Sequence, residues 1–245
     1  MLWQPSLAKK YQHLDDRQVA EAIETRRSEL GNDLIILGHH YQQDAVVRHA
    51  DFLGDSFRLS QQAADAVADK GSRYVIFCGV HFMAESADIL TPDDVQVILP
   101  DLSAGCSMAD MAAYDDVVDA WEQIHAELDE ASVKARIIPI TYMNSSAAIK
   151  AFVGAHGGAV CTSSNATAIL EWAFAGGDTP LREDEDHVKV MFFPDQHLGR
   201  NTAAAMGYDP KSQMCLWDPQ SPMGLGGTDA QTLIDARVIL WKGHC

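Results

Sequence analysis

The chain has 245 residues, of which 47% are hydrophobic, and its formal net charge is −17. This length is sufficient to bury a substantial core in one large or two small domains. The negative charge argues against a nucleic-acid partner and an anionic membrane surface, because few basic side chains are available to neutralise phosphates. The composition therefore predicts a globular protein that binds neither nucleic acid nor membrane.

The lack of a recognisable targeting signal and the cysteine content together predict a cytoplasmic protein. Residues 1–10 lack the long apolar stretch of a signal peptide, and no run approaches the length of a membrane span. The five cysteines do not form the dense framework of a secreted disulfide protein, which fits a reducing compartment. We expect Cys78, Cys161 and Cys215 to be small buried hydrophobes.

Short apolar runs, each followed by a polar turn, recur along the chain and predict strands buried on both faces of a parallel sheet. Because helix-forming sequence separates these runs, the pattern indicates an α/β fold. The runs begin at Leu34, Tyr74, Val95, Ile137, Ala159, Val188 and Val238.

Helices are predicted between the strands from capping residues and apolar spacing. Asp15 or Asp16 is expected to cap a helix that reaches about Leu30, and Ser56 a helix that reaches about Asp69. Further helices are predicted over 115–128, 145–152 and 164–175, and loops rich in Gly, Pro and acidic residues over 176–187 and 208–229.

The last apolar run is followed by Cys245 and by no sequence for a helix that could cover it. A parallel strand normally has a crossover helix on its face. We therefore expect either that the sequence is a piece of a longer protein or that its last strand lacks a packing partner. Cys106 also follows an apolar run at a turn, so the two cysteines are expected to be ligands that folding brings together.

Polar side chains are concentrated just after the predicted strands. In open α/β sheets, ligands bind beyond the carboxyl ends of the strands, so this position favours a binding or catalytic role. The residues concerned are His39, His40, Tyr41, His81, Glu85, Asp101, Cys106, Tyr142, Asn144, Ser163, Asn165, Asp195 and His197.

Two motifs of the first half each have a functional and a structural interpretation. His39, His40 and Tyr41 could transfer protons or bind an anion, or a histidine could simply bond to a turn. Because adjacent residues of an extended chain point to opposite sides, at most one histidine is expected to share a face with Tyr41. Gly54–Ser56 could bind an anion at a helix N-terminus or only cap that helix.

Three further motifs are equally open. Cys78 and His81 have the spacing of a metal half-site without a second half-site, and His81 and Glu85 could share a helical face. Tyr142 and Asn144 are expected on one side of a strand end, and residues 161–165 carry several hydrogen-bonding side chains. Both sets would suit a polyanionic small molecule, or they could be capping and turn residues. No G-x-G-x-x-G, Walker or G-x-S-x-G motif is present.

Eight segments, taken together and in order, resemble the quinolinate synthase family, the iron–sulfur enzymes of NAD biosynthesis. The resemblance extends from about residue 30 to the end, and the combination is specific although each motif alone is weak. The segments are Gly38–Gln42 (GHHYQ), Ala50–Ser56 (ADFLGDS), Gly79–Glu85 (GVHFMAE), Pro100–Asp110 (PDLSAGCSMAD), Tyr142–Ser146 (YMNSS), Cys161–Ala166 (CTSSNA), Pro194–Gly199 (PDQHLG) and Trp241–Cys245 (WKGHC).

The resemblance implies repeated three-layer αβα domains with parallel sheets around a pseudo-threefold axis, each giving one cysteine to a central [4Fe–4S] cluster. It implies a first domain over 1–105, a second over 106–244 and a third that starts at 245 and is otherwise missing. Cys106 and Cys245 would be two ligands, whereas the third ligand and a downstream histidine and glutamate of the family are absent. The sequence is therefore expected to be an incomplete and inactive chain.

For the substrate site, the resemblance implies catalytic roles for His39 and Tyr41. It implies substrate binding by His39, Ser56, Tyr142, Asn144 and Ser163, with Cys161 nearby but not a ligand. The implied reaction condenses iminoaspartate with dihydroxyacetone phosphate to give quinolinate. The implied functional link is to L-aspartate oxidase or aspartate dehydrogenase as the source of iminoaspartate.

Two other hypotheses remain open from the residues alone. The first is a divalent-metal lyase that uses His39, His81 and Glu85. The second is a non-catalytic protein, either an iron–sulfur redox sensor or a metabolite-binding module. Iron with acid-labile sulfide would favour a cluster, zinc alone would favour the lyase, and turnover would exclude the non-catalytic protein.

Overall fold

The computed structural model describes residues 6–244, and the chain divides into two compact units. The first unit ends at Cys106 and the second begins at Ser107. Each unit contains helices and a parallel sheet, which confirms the predicted α/β class. Cys245 lies outside the described residues, and the third domain stays a prediction.

In the first unit, helices alternate with short parallel strands. The described residues pair in the order β2-β1-β3-β4, so the carboxyl ends of these strands lie at one edge of the sheet. The helices are α1 (Asp16–Leu30), α2 (Asp44–Val47), α3 (Ser56–Lys70) and α4 (His81–Leu90). The strands are β1 (Leu34–His39), β2 (Phe52–Gly54), β3 (Tyr74–Cys78) and β4 (Gln96–Ile98).

Capping residues define where the two long helices of this unit begin. Asp15 accepts from the backbone N–H of Gln18, whose side chain accepts from the Asp15 N–H, so the predicted helix start is confirmed as a capping box. The predicted cap at Ser56 is wrong by one residue. Asp55 is the cap, because its carboxylate accepts from the N–H of Arg58.

The second unit alternates helices with longer strands, in the sheet order β6-β5-β7-β9-β8. All its described strand pairs are parallel. The helices are α5 (Ser107–Asp110), α6 (Tyr114–Glu130), α7 (Ala147–Ala155), α8 (Ala166–Phe174), α9 (Gln196–Ala205) and α10 (Ala230–Asp235). The strands are β5 (Ala135–Tyr142), β6 (Ala159–Cys161), β7 (His187–Phe193), β8 (Met214–Trp217) and β9 (Val238–Trp241).

The sheet of the second unit is covered on both faces, as its continuous apolar runs predict. Residues such as Met191 and Phe193 pack against α6, α7 and α10, whereas Val190 and Phe192 pack with α8 and α9. This alternation along β7 is the two-residue period of a strand between two helical layers. The second unit is therefore a three-layer αβα structure.

The structure corrects the predicted loop over 208–229, because it contains β8. Cys215 and Trp217 of this strand are 5% and 2% exposed and pack in the core. The strand is only four residues long and lies between polar and Gly-rich segments. The overall composition of 208–229 therefore resembles that of a loop. β2 is likewise a short strand that the sequence pattern did not predict.

Lys189 is a fully buried cation in the middle of β7. Its ammonium group donates to the carbonyls of Ile234 and Ala236 at 2.6 and 2.5 Å, and to that of Leu233 at 3.4 Å. These carbonyls lie at the C-terminal end of α10, where backbone acceptors lack helical partners. Burial lowers the pKa of Lys189 to about 8. Lys189 therefore joins the end of α10 to the sheet.

Glu185 anchors the loop between α8 and β7. Its side chain is 7% exposed and is paired with Arg136, which also donates to the carbonyls of Gly176, Thr179 and Pro180. The Arg136 guanidinium is the main cause that lowers the pKa of Glu185 from its ordinary 4.5 to about 2. The carboxylate therefore stabilises the loop in its charged form.

This pairing predicts an acid-dependent loss of stability. Because the folded-state pKa is depressed, the contribution of Glu185 is complete above pH 4.5 and declines as the pH falls toward 2. We expect the free energy of unfolding of Glu185→Gln to be lower than that of the wild type by about 1–2 kcal/mol at neutral pH, with the difference shrinking in acid. Urea unfolding across this pH range measures it. Glu183→Gln, an exposed neighbour, is the control, and a pH-independent difference would contradict the assignment.

Helix length and polarity bear on membrane insertion. Among residues 6–244, none of the helices combines the length and the apolar character needed to cross a bilayer.

Candidate active site

The first unit places three aromatic side chains where β1 ends. His39, the last residue of the strand, is 6% exposed, whereas Tyr41 is 83% exposed. The rings of His39 and His40 are stacked with centroids 4.4 Å apart, and the Tyr41 ring lies 4.8 and 4.3 Å from them. The site thus combines a buried imidazole with an exposed phenol.

The expected separation of the two histidines onto opposite faces is wrong. The strand ends at His39, and the chain turns at once, with the N–H of Gln42 donating to the carbonyl of His39 at 2.9 Å. The alternation of an extended strand therefore stops before His40 and Tyr41. Both rings fold back toward His39 and form one cluster.

Hydrogen bonding and burial define the protonation of His39. Its Nδ1 accepts from the backbone N–H of Tyr41 at 3.4 Å, which leaves the proton of the neutral ring on Nε2. Burial is the main cause that lowers the pKa of His39, the neighbouring His40 lowers it further, and Asp55 opposes both. At neutral pH His39 therefore presents an uncharged ring with an Nε2–H donor.

The start of α3 lies beside this cluster. The backbone N–H and Nδ1 of His40 lie 3.1 and 3.0 Å from the carbonyl oxygen of Gly54, the last residue of β2. Ser56 opens α3 two residues later and is half-buried. An oxygen-rich ligand at this edge would meet a hydroxyl together with the N–H groups of a fifteen-residue helix.

Cys106 follows a loop that is held by its own hydrogen bonds. Asp101 accepts from the N–H and the hydroxyl of Ser103 at 2.9 and 2.6 Å, and these bonds lower its pKa. The carbonyl of Ala104 accepts from the N–H of His81 at 2.9 Å, which ties the loop to the start of α4. Cys106 is half-buried just beyond this loop.

In the second unit, the predicted substrate residues follow β5 and β6. Tyr142 is the last residue of β5, and Asn144 is two positions further on; both are half-buried. Ser163 is exposed in the turn between β6 and α8. Because β5 and β6 are parallel neighbours, these residues lie at the carboxyl edge of the same sheet.

Some polar residues of this edge are occupied by turn and capping bonds. Asn165 accepts from the N–H of Thr162 at 2.6 Å, and Asp195 accepts from the N–H groups of His197 and Leu198. The hydrogen bonds of Asn165 and Asp195 are therefore those of turn and capping residues.

The segment after Cys106 contacts the segment before Cys245. The indole N–H of Trp241 donates to the carbonyl of Met111 at 2.7 Å, and the N–H of His244 approaches the Met111 sulfur at 3.4 Å. Met111 directly follows α5, which begins one residue after Cys106. This contact was not predicted from the sequence, because it joins residues 130 positions apart and local patterns do not show such pairs.

The remaining thiols differ from Cys106 in their surroundings. Burial raises the pKa of Cys161 and of Cys215 to about 12 and also raises that of Cys78. Cys161 and Cys215 are buried in strands, as predicted, whereas Cys78 is only half-buried. The two buried thiols are therefore poor sources of the thiolate that a metal requires.

Of the three ligands of the lyase hypothesis, the structure brings together two, His81 and Glu85, but not His39 with them. His81 and Glu85 lie on one face of α4, with His81 Nδ1 and Glu85 Oε1 3.5 Å apart, as their spacing predicts. Across residues 6–244, however, no three His, Cys, Asp or Glu side chains are placed to share one metal ion. His39, His81 and Glu85 thus form no such group.

A cavity of about 240 Å³ lies elsewhere in the second unit, between α6 and the loop after β8. The carboxylates of Asp116, Asp119 and Asp218 line it, and none of the predicted substrate residues does. This lining is unfavourable for an anionic ligand because like charges repel. The strand ends remain the better candidate for the site.

Taken together, the two units define a protein of the parallel α/β class, with polar side chains at the carboxyl edges of its sheets, where proteins of this class bind their ligands. Residues 21–245 match the family model described as "Quinolinate synthetase A protein". The chain belongs to this family.

Curated relatives agree with the family match. A quinolinate synthase of Corynebacterium glutamicum is 50% identical over 242 residues, covering 99% of this chain and 56% of the relative. One of Rhodopirellula baltica is 50% identical over 247 residues (97% and 58%), and one of Haloarcula marismortui is 48% identical over 239 residues (98% and 58%). The chain thus spans 56–58% of the length of these three relatives.

Proposed function

We propose that the protein is a quinolinate synthase, which condenses iminoaspartate with dihydroxyacetone phosphate in the biosynthesis of NAD. The observation that carries this proposal is that His39, Ser56 and Tyr142 each lie where a parallel strand of their own unit ends. Asn144 and Ser163 follow within a few residues of a strand end. This is the position at which α/β proteins bind small molecules.

The polar groups suit the charges of both substrates. Iminoaspartate carries two carboxylates and dihydroxyacetone phosphate a phosphate, so the site needs several neutral donors. We propose that Ser56, with the backbone N–H groups at the start of α3, binds one anionic group. The side chains of Tyr142, Asn144 and Ser163 would bind the others.

In this proposal His39 and Tyr41 transfer protons to and from the substrates. The uncharged His39 ring presents Nε2–H, and the exposed Tyr41 hydroxyl lies on a ring that contacts the His39 ring. A positioned donor of this kind can protonate a leaving oxygen or hold an enolic oxygen. The Tyr41 hydroxyl is the better placed to reach a ligand because its side chain is exposed.

We propose that a [4Fe–4S] cluster is bound by the thiolates of Cys106 and Cys245, with further ligation from outside these two residues. The donor chemistry of Cys106 fits, since the thiol is half-buried and follows an ordered loop. When bound, such a cluster supplies an iron that can act as a Lewis acid and ease the loss of water. A reducing cytoplasm would preserve it, and L-aspartate oxidase or aspartate dehydrogenase would supply the iminoaspartate.

Anaerobic turnover tests this function. Because the 245-residue chain is expected to be inactive, the test uses the full-length protein, which after reconstitution should form quinolinate only when both substrates are present, with chromatography and mass spectrometry identifying the product. Protein loaded with zinc in place of iron and sulfide is the control and should be inactive. Turnover by the zinc-loaded protein would support the lyase hypothesis instead, and a cluster-loaded protein without turnover would support the sensor.

Tyr41→Phe should lower kcat of the full-length protein by roughly a hundredfold, because it removes the proposed proton donor and keeps the edge-to-face contacts of the ring with both histidines. Steady-state quinolinate formation measures the effect. Tyr208→Phe is the matched control, since Tyr208 stacks on Phe174 in the second unit. Unchanged turnover of Tyr41→Phe would remove this residue from the catalytic assignment.

A further inference from the structure

His40 lies between His39 and Tyr41 in the chain, and its ring contacts the rings of both. The His39 and His40 rings are stacked with centroids 4.4 Å apart, and the Tyr41 ring meets the His40 ring edge-on at 4.3 Å. The Tyr41 ring is slightly further from the His39 ring, at 4.8 Å. The His40 imidazole therefore packs against both of the groups that are proposed to transfer protons.

The His40 ring is itself anchored to the neighbouring strand. The carbonyl oxygen of Gly54 lies 3.0 Å from His40 Nδ1 and 3.1 Å from the His40 backbone nitrogen. Because a carbonyl oxygen can only accept, Nδ1 carries a proton and both nitrogens donate to the same oxygen. These bonds join the residue after β1 to the last residue of β2, and the side-chain bond restricts rotation of the imidazole.

Tyr41 has few other contacts that could orient its side chain, which is 83% exposed. Among residues 6–244, the rings that contact it are those of His39 and His40, and its hydroxyl has no hydrogen-bond partner. An exposed side chain with few contacts samples several rotamers, so the two imidazoles determine the direction of the phenol. His39 is held by its burial in the strand end, whereas the exposed His40 ring depends on its bond to Gly54.

We propose that His40 is a positioning residue, whose Nδ1–H bond to Gly54 holds the imidazole as a fixed support for the Tyr41 ring. This inference rests on the proposed function, because it concerns the direction of a hydroxyl that is proposed to transfer protons. A general acid must lie within hydrogen-bond reach of the atom that it protonates, so a phenol that rotates freely would be misplaced in most of its rotamers. His40 itself transfers no proton and binds no substrate.

Two substitutions separate the bond of His40 from its ring. His40→Phe keeps a flat ring and removes the bond to Gly54, whereas His40→Ala removes both, and each should fold because the side chain is exposed. In the full-length protein, we expect kcat to fall roughly fivefold in His40→Phe and roughly tenfold in His40→Ala. KM should change by less than about twofold, because the chemical step rather than substrate binding depends on the position of Tyr41.

A double-mutant cycle shows whether His40 acts through Tyr41. In the Tyr41→Phe protein, His40→Phe should change kcat by less than about twofold, because the group that it positions is already absent. An equal fall of kcat in both backgrounds would overturn the inference, since a general loss of stability or a direct contact with the substrate would be additive.

His125→Phe is the matched control for loss of a histidine. His125 Nδ1 also lies within hydrogen-bond distance of a backbone carbonyl, that of Trp121 at 2.8 Å, and its ring contacts the Trp121 ring at 4.4 Å. Both residues belong to α6 of the second unit. His125→Phe should therefore leave kcat and KM unchanged.

An NMR measurement on the 245-residue chain tests the positioning without turnover. The nuclear Overhauser effect between the ring protons of Tyr41 and His39 reports on a contact in which the His40 ring takes no part. We expect this effect to weaken at least about twofold in His40→Phe and in His40→Ala, because Tyr41 then samples other rotamers. It should keep its full strength in His125→Phe.

The two measurements distinguish the inference from the proposed function. A full-length protein that forms no quinolinate, together with a weakened Tyr41–His39 effect in the His40 variants, would support the positioning of Tyr41 and contradict the proposed function. A Tyr41–His39 effect as strong in His40→Phe as in the wild type, or no effect in the wild type, would overturn the inference. Unchanged kcat in both His40 variants of an active protein would overturn it as well.

Discussion

Replacing Cys106 by serine should abolish incorporation of the iron–sulfur cluster. A hydroxyl is a poor substitute for a thiolate at iron. Cys106 lies five residues before Met111, which contacts Trp241 and His244. After anaerobic reconstitution of the full-length protein, we expect the visible absorption of the cluster to fall at least about tenfold, and quinolinate formation to disappear with it.

A second cysteine provides the matched control for this result. Cys215 is 5% exposed in β8, and burial raises its pKa to about 12, so Cys215→Ser should retain the cluster if the variant folds. An unchanged cluster signal in Cys106→Ser would remove Cys106 from the proposed ligands. Equal loss in both variants would show that the signal follows folding rather than ligation.

Lys189→Ala should lower the free energy of unfolding by about 3–5 kcal/mol. The substitution removes the donor from carbonyls at the end of α10 and leaves a cavity where the alkyl chain lay. Urea unfolding followed by circular dichroism measures the change. The second unit should be the part that loses protection in hydrogen exchange, since β7 and α10 both belong to it.

Two further variants separate the causes of that loss. Lys189→Met keeps most of the side-chain volume without the donor, so the difference between the two Lys189 variants measures the cavity. Lys134→Ala changes an exposed lysine of the same unit and should have little effect. A Lys189→Ala protein as stable as the wild type would show that the buried ammonium adds no net stability.

The parallel α/β class followed from the sequence because its strands are continuous apolar runs. The segments that become β1, β5 and β7 are such runs, and burial between two layers requires this composition. The start of α1 was also predictable, to Asp15 or Asp16, since a cap depends on residues a few positions apart; the capping box itself is seen only in the structure. Local interactions of this kind leave a local signal.

Features that depend on distant residues had no such signal. β8 is four residues long and is stabilised by β9, which lies further along the chain. The buried position of Lys189 depends on carbonyls 44 to 47 positions away. In β7 the sequence shows only a lysine within an apolar run, which gives no indication of the carbonyls that satisfy it.

In the candidate site, too, positions set by local sequence were predictable and contacts set by the folded chain were not. The strand-end positions of His39 and Tyr142 were predictable from the apolar runs that precede them. The contact among the His39, His40 and Tyr41 rings was not, because it depends on where the strand stops and the chain turns. For Cys245, which lies outside the described residues, ligation stays a prediction.

Metal analysis shows directly whether two thiolates from distant parts of the chain, Cys106 and Cys245, bind one iron–sulfur cluster, as we propose. After anaerobic reconstitution of the full-length protein and removal of unbound metal, we expect iron and acid-labile sulfide in equal amounts, with both lost in Cys106→Ser. Bound zinc without sulfide, or iron and sulfide that remain in Cys106→Ser, would contradict it.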